Sequence, residues 1–297
     1  MARGRHEGRA RYGTQVKDKQ QEDDTRGLSP TALAELMTGI AIRASLAILA
    51  IDFRDADTRT KADNSPVTAA DCAAHTLITD ELGRTLPHIP LISEESVADW
   101  AGKQPGDEFL LVDPLDGTAE FLAGRLEYTV NIALVRAGTP AIGVIAAPAL
   151  GLLWRGAVGH GAERLRFSAG RTAGRAGPAD AIHTRPWPED ERVAAVSRSH
   201  YDPASAAFLE RVAPVRPLSC GSALKFCRLA EGAIDVYPRL AQTSEWDVAA
   251  GHAIVVAAGG AMTAAGGGAL RYGGSADGFR VPGFLAFGDP NAAQRLS

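Results

Sequence analysis

Cysteine is scarce in this chain: only Cys72, Cys220 and Cys227 occur among 297 residues. Three irregularly placed thiols exclude a disulfide framework and a cysteine-ligated zinc site, and the chain reads as a reduced, cytoplasmic protein. Basic excess is lacking as well. Thirty-one Lys and Arg stand against 35 Asp and Glu, a formal net charge of -4, which leaves no electrostatic footprint for a nucleic acid polymer. A long apolar run is missing too. The stretch 40–53 is interrupted by Arg43 and falls short of the ~20 residues that a membrane span requires, so no integral membrane insertion is expected. Residues 1–27 lack the apolar segment of a signal peptide. No internal repeat of fixed period is present. The length itself allows one large domain or two lobes.

What is there begins with residues 110–121, where an apolar run after Phe109 has the length and branching of a buried strand. It ends abruptly in Asp113-Pro114-Leu115-Asp116-Gly117-Thr118. Pro114 fixes its own φ and removes a backbone donor, while Gly117 permits a positive φ or close backbone approach, so two carboxylates are held in one geometry. Two anions held close call for a cation. The same residues also suit a solvent-facing Asp-Pro turn for purely local reasons.

Residues 1–27 carry few apolar side chains and read as a disordered tail, with a basic docking arm as the alternative. Ser29-Pro30 then opens a helix whose Leu33, Leu36, Met37, Ile40, Ala44, Ala47, Ile48 and Ile51 recur at helical spacing. Thr68 with Asp71 reads as a capping box for a helix through Leu82. A short strand over 89–93 ends in Glu94-Glu95, as the next one ends in Asp113. Strands are expected over 128–135, 142–147 and around 152–158, with Ala137-Gly138-Thr139-Pro140 as the turn between the first two. Residues 159–188, rich in Gly, Ala, Arg and Pro, read as a long excursion joining two lobes. Beyond it, strands over 193–197 and 234–237 and helices over 203–212 and 222–231 describe a layered α/β half. Trp246-Asp247 opens a last helix closed by Gly259-Gly260. His75, Cys72, His252 and Cys227 read as helix or core residues.

Taken together and in order, Asp71 after Pro66-Val67-Thr68, Glu94-Glu95, the 113–118 turn and Trp246-Asp247 resemble the inositol monophosphatase superfamily of magnesium-dependent, lithium-sensitive phosphatases. The likeness runs from about Leu28 to about Asp289. It is strongest to the bacterial 3'(2'),5'-bisphosphate nucleotidases, through 65–71, 113–121, 128–134, 197–200, 221–227 and 246–252. This resemblance implies an α+β, α/β-layered sandwich of α-β-α-β-α order in two lobes, with a lobe over 28–158 holding most metal ligands and a second over 159–297 holding substrate-binding segments and Asp247. It implies two Mg²⁺ ions, sometimes three: Glu94, Asp113 and the Leu115 carbonyl for one, Asp113, Asp116 and Asp247 for another. Asp71 and Thr118 are implied as the pair orienting the attacking water. Ser197, His200, Gly221 and Lys225 are implied substrate contacts, alongside Glu94, Leu115, Asp116, Gly117, Thr118 and Asp247. The implied substrate is adenosine 3',5'-bisphosphate, and 3'-phosphoadenylyl sulfate beside it. The state of association, monomer or homodimer, stays open.

Physical chemistry points the same way, since hard carboxylate oxygens suit Mg²⁺, and clustered carboxylates without a cation raise one another's pKa. Nucleotidases commonly carry Lys after Asp-Gly-Thr, and this chain has Ala119. Three alternatives remain at the level of sequence. An inositol monophosphatase or sugar bisphosphatase would use the same metals. A haloacid-dehalogenase-type enzyme requires Asp-x-Asp spacing, which Asp113 and Asp116 miss by one residue. A non-catalytic metal-binding module would be expected to have lost a ligand, and none is missing.

Overall fold

The computed structural model describes residues 27–54, 58–60, 66–168, 176–197 and 202–296. The tail expected over 1–27 lies outside them except for Gly27, and so does His200.

Helix α1 (Pro30–Leu49) starts where Ser29 accepts the Ala32 amide at 3.2 Å and Pro30 occupies the first turn. It stops at Leu49, so Ile51 lies beyond it. Strands β1 (Thr58–Thr60) and β2 (Pro66–Thr68) pair with each other and lead into α2 (Ala69–Thr85), one turn longer than expected. Then come β3 (Leu91–Ser93), β4 (Glu108–Asp116), the short α3 (Thr118–Leu122), β5 (Thr129–Arg136), β6 (Thr139–Ala147) and β7 (Leu152–Ala157). The β5–β6 turn is only Ala137-Gly138; Thr139 and Pro140 already belong to β6.

The stretch expected as an excursion contains β8 (Gly161–Arg166) and β9 (Ala179–Ile182), which extend the same sheet. Ala162 and Leu165 are buried in the cores on opposite faces of the sheet, and the half-buried Glu163 and Arg164 between them form ion pairs with Arg155 and with Asp180 and Glu231, a pattern too short and too charged to stand out from a loop-like composition. The result is a seven-stranded sheet in the order β3-β4-β5-β6-β7-β8-β9, with β3 and β4 parallel and the remaining neighbours antiparallel.

The remainder comprises β10 (Arg192–Ser197), α4 (Pro203–Arg211), β11 (Val215–Cys220), α5 (Leu224–Ala230), β12 (Val236–Arg239), β13 (Thr243–Ser244), α6 (Glu245–Ala257), β14 (Ala261–Ala264), β15 (Arg280–Val281), β16 (Phe284–Phe287) and α7 (Pro290–Leu296). Five of its strands form a second, mixed sheet in the order β11-β10-β12-β16-β14. Sequence reading missed β11, which Pro217 interrupts, and β14 and β16, which are only four residues long.

Alternation along the strands assigns each face to a core. On β4, Leu110 and Val112 pack with Leu33, Met37, Ile40 and Ile78 of α1 and α2, whereas Phe109 and Leu111 face α5 and α6. Helices α5 and α6 are therefore sandwiched between the two sheets. Phe208 of α4 and Ala292 and Ala293 of α7 cover the far face of the small sheet, where Ala194, Val236, Leu285 and Phe287 point. This is a layered α+β fold in α-β-α-β-α order. Helix α1, which spans 20 residues and is long and apolar enough to cross a membrane, instead buries Leu33, Met37, Ile40, Ala44 and Ile48 in the first of these cores.

Candidate active site

The functional side chains converge because three elements end at one edge of the large sheet. Strand β3 runs parallel to β4 with Ser93 opposite Val112, so Glu94, the first residue past β3, lies beside Asp113. Along β4 and β5, Asp113 pairs with Asn131 and Asp116 with Thr129: three steps on one strand match two on the other. This is a bulge, and Pro114, with no amide hydrogen to donate, sits inside it. The extra residue turns the strand end so that Asp113, Leu115 and Asp116 all line one cleft. Gly117 then takes φ 95, a left-handed conformation that favours glycine, and opens α3.

A cleft of about 450 Å³ holds Glu94, Asp113, Leu115, Asp116, Gly117, Thr118, Ser197, Gly221, Lys225 and Asp247 in its walls. Asp71 stands just behind Thr118. Its Oδ2 accepts the Thr68 amide at 2.8 Å and the Thr68 hydroxyl at 2.7 Å, and its Oδ1 accepts the Thr118 hydroxyl at 2.9 Å. The cap is thus formed as expected, and the carboxylate has a second use. Asp247 is held by an equivalent device at the start of α6, where Oδ2 accepts the Ser244 amide at 3.2 Å and the Thr243 hydroxyl. Asp113 Oδ1 accepts the Leu115 amide at 3.0 Å. Glu95 does not line the cleft, and His200 falls outside the described residues.

The electrostatics follow from this crowding. Burial, then the charges of Glu94, Asp116, Asp247 and Asp71, pushes Asp113 well above the usual carboxylate range. Burial and Asp247 raise Asp116 to about 6, against the opposing pull of Lys225 and Arg239. Lys225 is buried, and its ammonium donates to the Ser222 carbonyl at 2.7 Å and to the Cys220 carbonyl at 3.3 Å. Its charge therefore acts on Asp116 at the carboxylate end of the cleft.

Several lining residues were not anticipated. Ser222 has φ 48, and its hydroxyl is shared between the carbonyls of Glu127, at 2.8 Å, and Asp116, at 2.9 Å. Glu127 in turn accepts the Gly221 amide at 3.1 Å. Arg239, at the end of β12, presents a buried Nε with no partner among the described residues and lies close enough to Asp116 and Asp247 to feel both charges. Arg280 enters from β15. A polar residue closing a buried strand, as in Tyr237-Pro238-Arg239, is the one signal that could have flagged Arg239. A second cleft of about 480 Å³, mainly apolar, adjoins the first, sharing Ser197, Tyr237, Arg239 and Gln242 and extending along Ala206 and Leu209 of α4.

Residues 31–284 match the model of the inositol monophosphatase family. The 3'(2'),5'-bisphosphate nucleotidase CysQ of Escherichia coli (strain K12) is 42% identical over 200 residues, which is 67% of this chain and 76% of that protein. Among solved structures, CysQ from Bacteroides thetaiotaomicron superposes with a TM-score of 0.72 at 34% identity, covering 86% of this chain and 97% of that one. The inositol monophosphatase from Anabaena has a TM-score of 0.66 at 25% identity, over 90% of this chain and 94% of its own. With its carboxylate cleft at the edge of a layered α+β sandwich, the chain belongs to the inositol monophosphatase family.

Proposed function

We propose that the chain is a divalent-metal-dependent phosphatase that hydrolyses the 3'-phosphate of adenosine 3',5'-bisphosphate to give adenosine 5'-monophosphate and inorganic phosphate, and that it also accepts 3'-phosphoadenylyl sulfate. One observation carries the reading: a hydroxyl–carboxylate pair, Thr118 and Asp71, stands directly behind four carboxylates that line a single cleft. The likeness at 42% identity to the 3'(2'),5'-bisphosphate nucleotidase CysQ of Escherichia coli, and at 34% to another CysQ, supports the nucleotide as substrate.

The donor set fits Mg²⁺. Glu94, Asp113, Asp116, Asp247 and the Leu115 carbonyl offer hard oxygens only, and the raised pKa values of Asp113 and Asp116 reflect anions that a cation would relieve. Among the described residues no three acidic, His or Cys side chains stand grouped closely enough to hold an ion by themselves, so these carboxylates would have to draw in around an ion whose shell waters and substrate phosphate complete. Glu94, Asp113 and the Leu115 carbonyl would hold one ion, and Asp113, Asp116 and Asp247 a second. When bound, such ions lower the pKa of a water and stabilise a leaving alkoxide.

The protein's own groups do the rest. Thr118 Oγ1 donates its hydroxyl hydrogen bond to Asp71 Oδ1, so its lone pairs are free to accept a hydrogen bond from the attacking water and orient it. Thr68 holds the other Asp71 oxygen, which keeps that carboxylate from turning away. The water oxygen bonds to phosphorus as the bond to the 3' oxygen breaks; the water releases one proton to solvent and the leaving oxygen takes one up from solvent, so no covalent enzyme intermediate is required. Lys225 and Arg239 balance negative charge around Asp116. The adjoining apolar cleft along α4 offers a place for a flat base, which an inositol ring would leave unfilled. Measuring kcat/KM for adenosine 3',5'-bisphosphate, 3'-phosphoadenylyl sulfate, inositol 1-phosphate and fructose 1,6-bisphosphate, with and without Mg²⁺, tests the reading. Preference for inositol 1-phosphate would overturn it in favour of an inositol monophosphatase.

A further inference from the structure

Three cations line the catalytic cleft: Lys225, Arg239 and Arg280. The first two are the more enclosed: Lys225 is buried, and Arg239 has a buried Nε. Arg280 differs in how it is presented. It belongs to β15, which pairs with β13 so that Arg280 stands opposite Ser244, and its Nη1 donates to the Ser244 hydroxyl at 3.2 Å. The residue before it, Phe279, is buried at 1% exposure yet has φ 58, a conformation unfavourable for a bulky side chain unless its surroundings impose it.

Those surroundings are a clamp. Glu245, fully buried, accepts the Gly273 amide at 2.7 Å and the Gly274 amide at 2.8 Å. Phe279 closes the loop by donating to the Gly274 carbonyl at 2.9 Å and accepting the Glu245 amide at 2.8 Å. A buried carboxylate and a left-handed phenylalanine thus hold the strand that projects an exposed guanidinium into the cleft. Among the described residues no carboxylate forms an ion pair with Arg280.

We infer that Arg280 is a specificity-determining residue that receives the second, non-reacting phosphate of a bisphosphorylated nucleotide. The inference rests on the nucleotidase reading and names the residue that separates a bisphosphate from a monophosphate. A guanidinium offers several N–H donors in a planar fork, of which Ser244 takes one, leaving a forked face for a phosphate. Lys225 is the less suitable cation for this role, because two of its three donors are committed to backbone carbonyls at the floor.

The experiment compares adenosine 3',5'-bisphosphate with adenosine 3'-monophosphate under saturating Mg²⁺, for the wild type, Arg280→Gln and Arg280→Lys. The ratio of the two kcat/KM values should fall about tenfold in Arg280→Gln, the low end for a charge-assisted hydrogen bond because the site is open to water. The loss should appear in KM, and competitive inhibition by adenosine 5'-monophosphate should weaken in parallel. Arg280→Lys, which keeps the charge and loses the fork, should fall between the two and serves as the test should the glutamine variant not fold. An unchanged ratio in both variants, with the wild type still preferring the bisphosphate, overturns the assignment alone. A wild type that turns over inositol 1-phosphate but neither nucleotide overturns the nucleotidase reading and this assignment with it.

Discussion

Thr118 and Asp71 are 47 positions apart in sequence, and their side chains meet at 2.9 Å, with the threonine hydroxyl donating to a carboxylate that Thr68 already holds by its other oxygen. Each partner is fixed by its own helix start, so the pair is preorganised before any substrate arrives. Thr118→Ala should therefore lower kcat by roughly 10²-fold or more with little change in KM, as expected for a group that acts on the attacking water. Thr118→Ser should recover part of the loss. A change confined to KM would reassign Thr118 to phosphate binding.

The carboxylate cluster predicts a pH dependence in protein stripped of metal. Asp116 holds its proton up to about 6 in the folded chain, against 3.8 for an unperturbed carboxyl. Between these values the unfolded chain ionises first, so stability falls as pH rises through the window and stays lowered above it. In EDTA the melting temperature should accordingly drop from pH 4 toward pH 6, and Asp116→Asn should flatten that drop. Mg²⁺ should raise the melting temperature more at pH 7.5 than at pH 4.5. At the same time Asp116→Asn and Asp247→Asn should remove most Mg²⁺-dependent turnover, since each deletes a ligand charge. Equal Mg²⁺ stabilisation at both pH values would count against these carboxylates as the ligands.

Ser222 ties the two sheets together at the cleft. Its hydroxyl is shared between the carbonyls of Asp116 and Glu127 while its backbone stands at φ 48. Ser222→Ala keeps the strained φ and loses the hydroxyl, whereas Ser222→Gly loses the hydroxyl and relieves the strain. Both should lower kcat/KM, because the bend that carries Asp116 is loosened. The alanine variant should lose about 1 kcal/mol of stability and the glycine variant less. Wild-type kcat/KM in Ser222→Ala would show that the Asp116 bend is held without it.

What could be read in the sequence was local or compositional. The Ser29-Pro30 helix start, the Thr68–Asp71 capping box and the Asp113–Thr118 turn are written in residues a few positions apart, where propensity and hydrogen bonding act without tertiary help. The layer order came through the resemblance, since periodicity alone could not distinguish β8 from a loop when its buried Ala162 and Leu165 are separated by the charged Glu163 and Arg164. The cations and straps of the cleft were the least legible. Arg239, Glu127, Ser222 and Arg280 acquire their roles from distant residues, from Ser244 for Arg280, 36 positions away, to Asp116 for Ser222, 106 positions away, and each looks like an ordinary surface residue in its own neighbourhood. Lys225 shows the same limit in reverse. The motif marked it correctly as part of the cleft, but only the carbonyls of Cys220 and Ser222 reveal which way its charge points.

The position of α6 between the two sheets sets Asp247, and Gly251 tests it. One helical turn beyond Asp247 and on the same face, Gly251 lies so close to α5 that an added Cβ would stand 2.2 Å from Phe226 Cγ. That ring cannot easily give way: it stacks on Phe284 with centroids 5.6 Å apart and meets the edge of Tyr237 at 5.1 Å. Helix propensity alone favours alanine over glycine by ~0.5–1 kcal/mol. Overpacking opposes it with ~1–3 kcal/mol, and the braced ring places the cost at the upper part of that range. Gly251→Ala should therefore be net destabilising, with a melting temperature lower by several degrees for a chain of this size. Because Phe226 also lines the cleft and Asp247 shares the displaced face, kcat/KM should fall with it. Val256→Ala, a truncation at the partly buried far end of the same helix, should cost stability while leaving kcat/KM near wild type. Gly251→Ala melting at or above the wild-type temperature would mean that the α5–α6 contact is slack and does not set the position of Asp247.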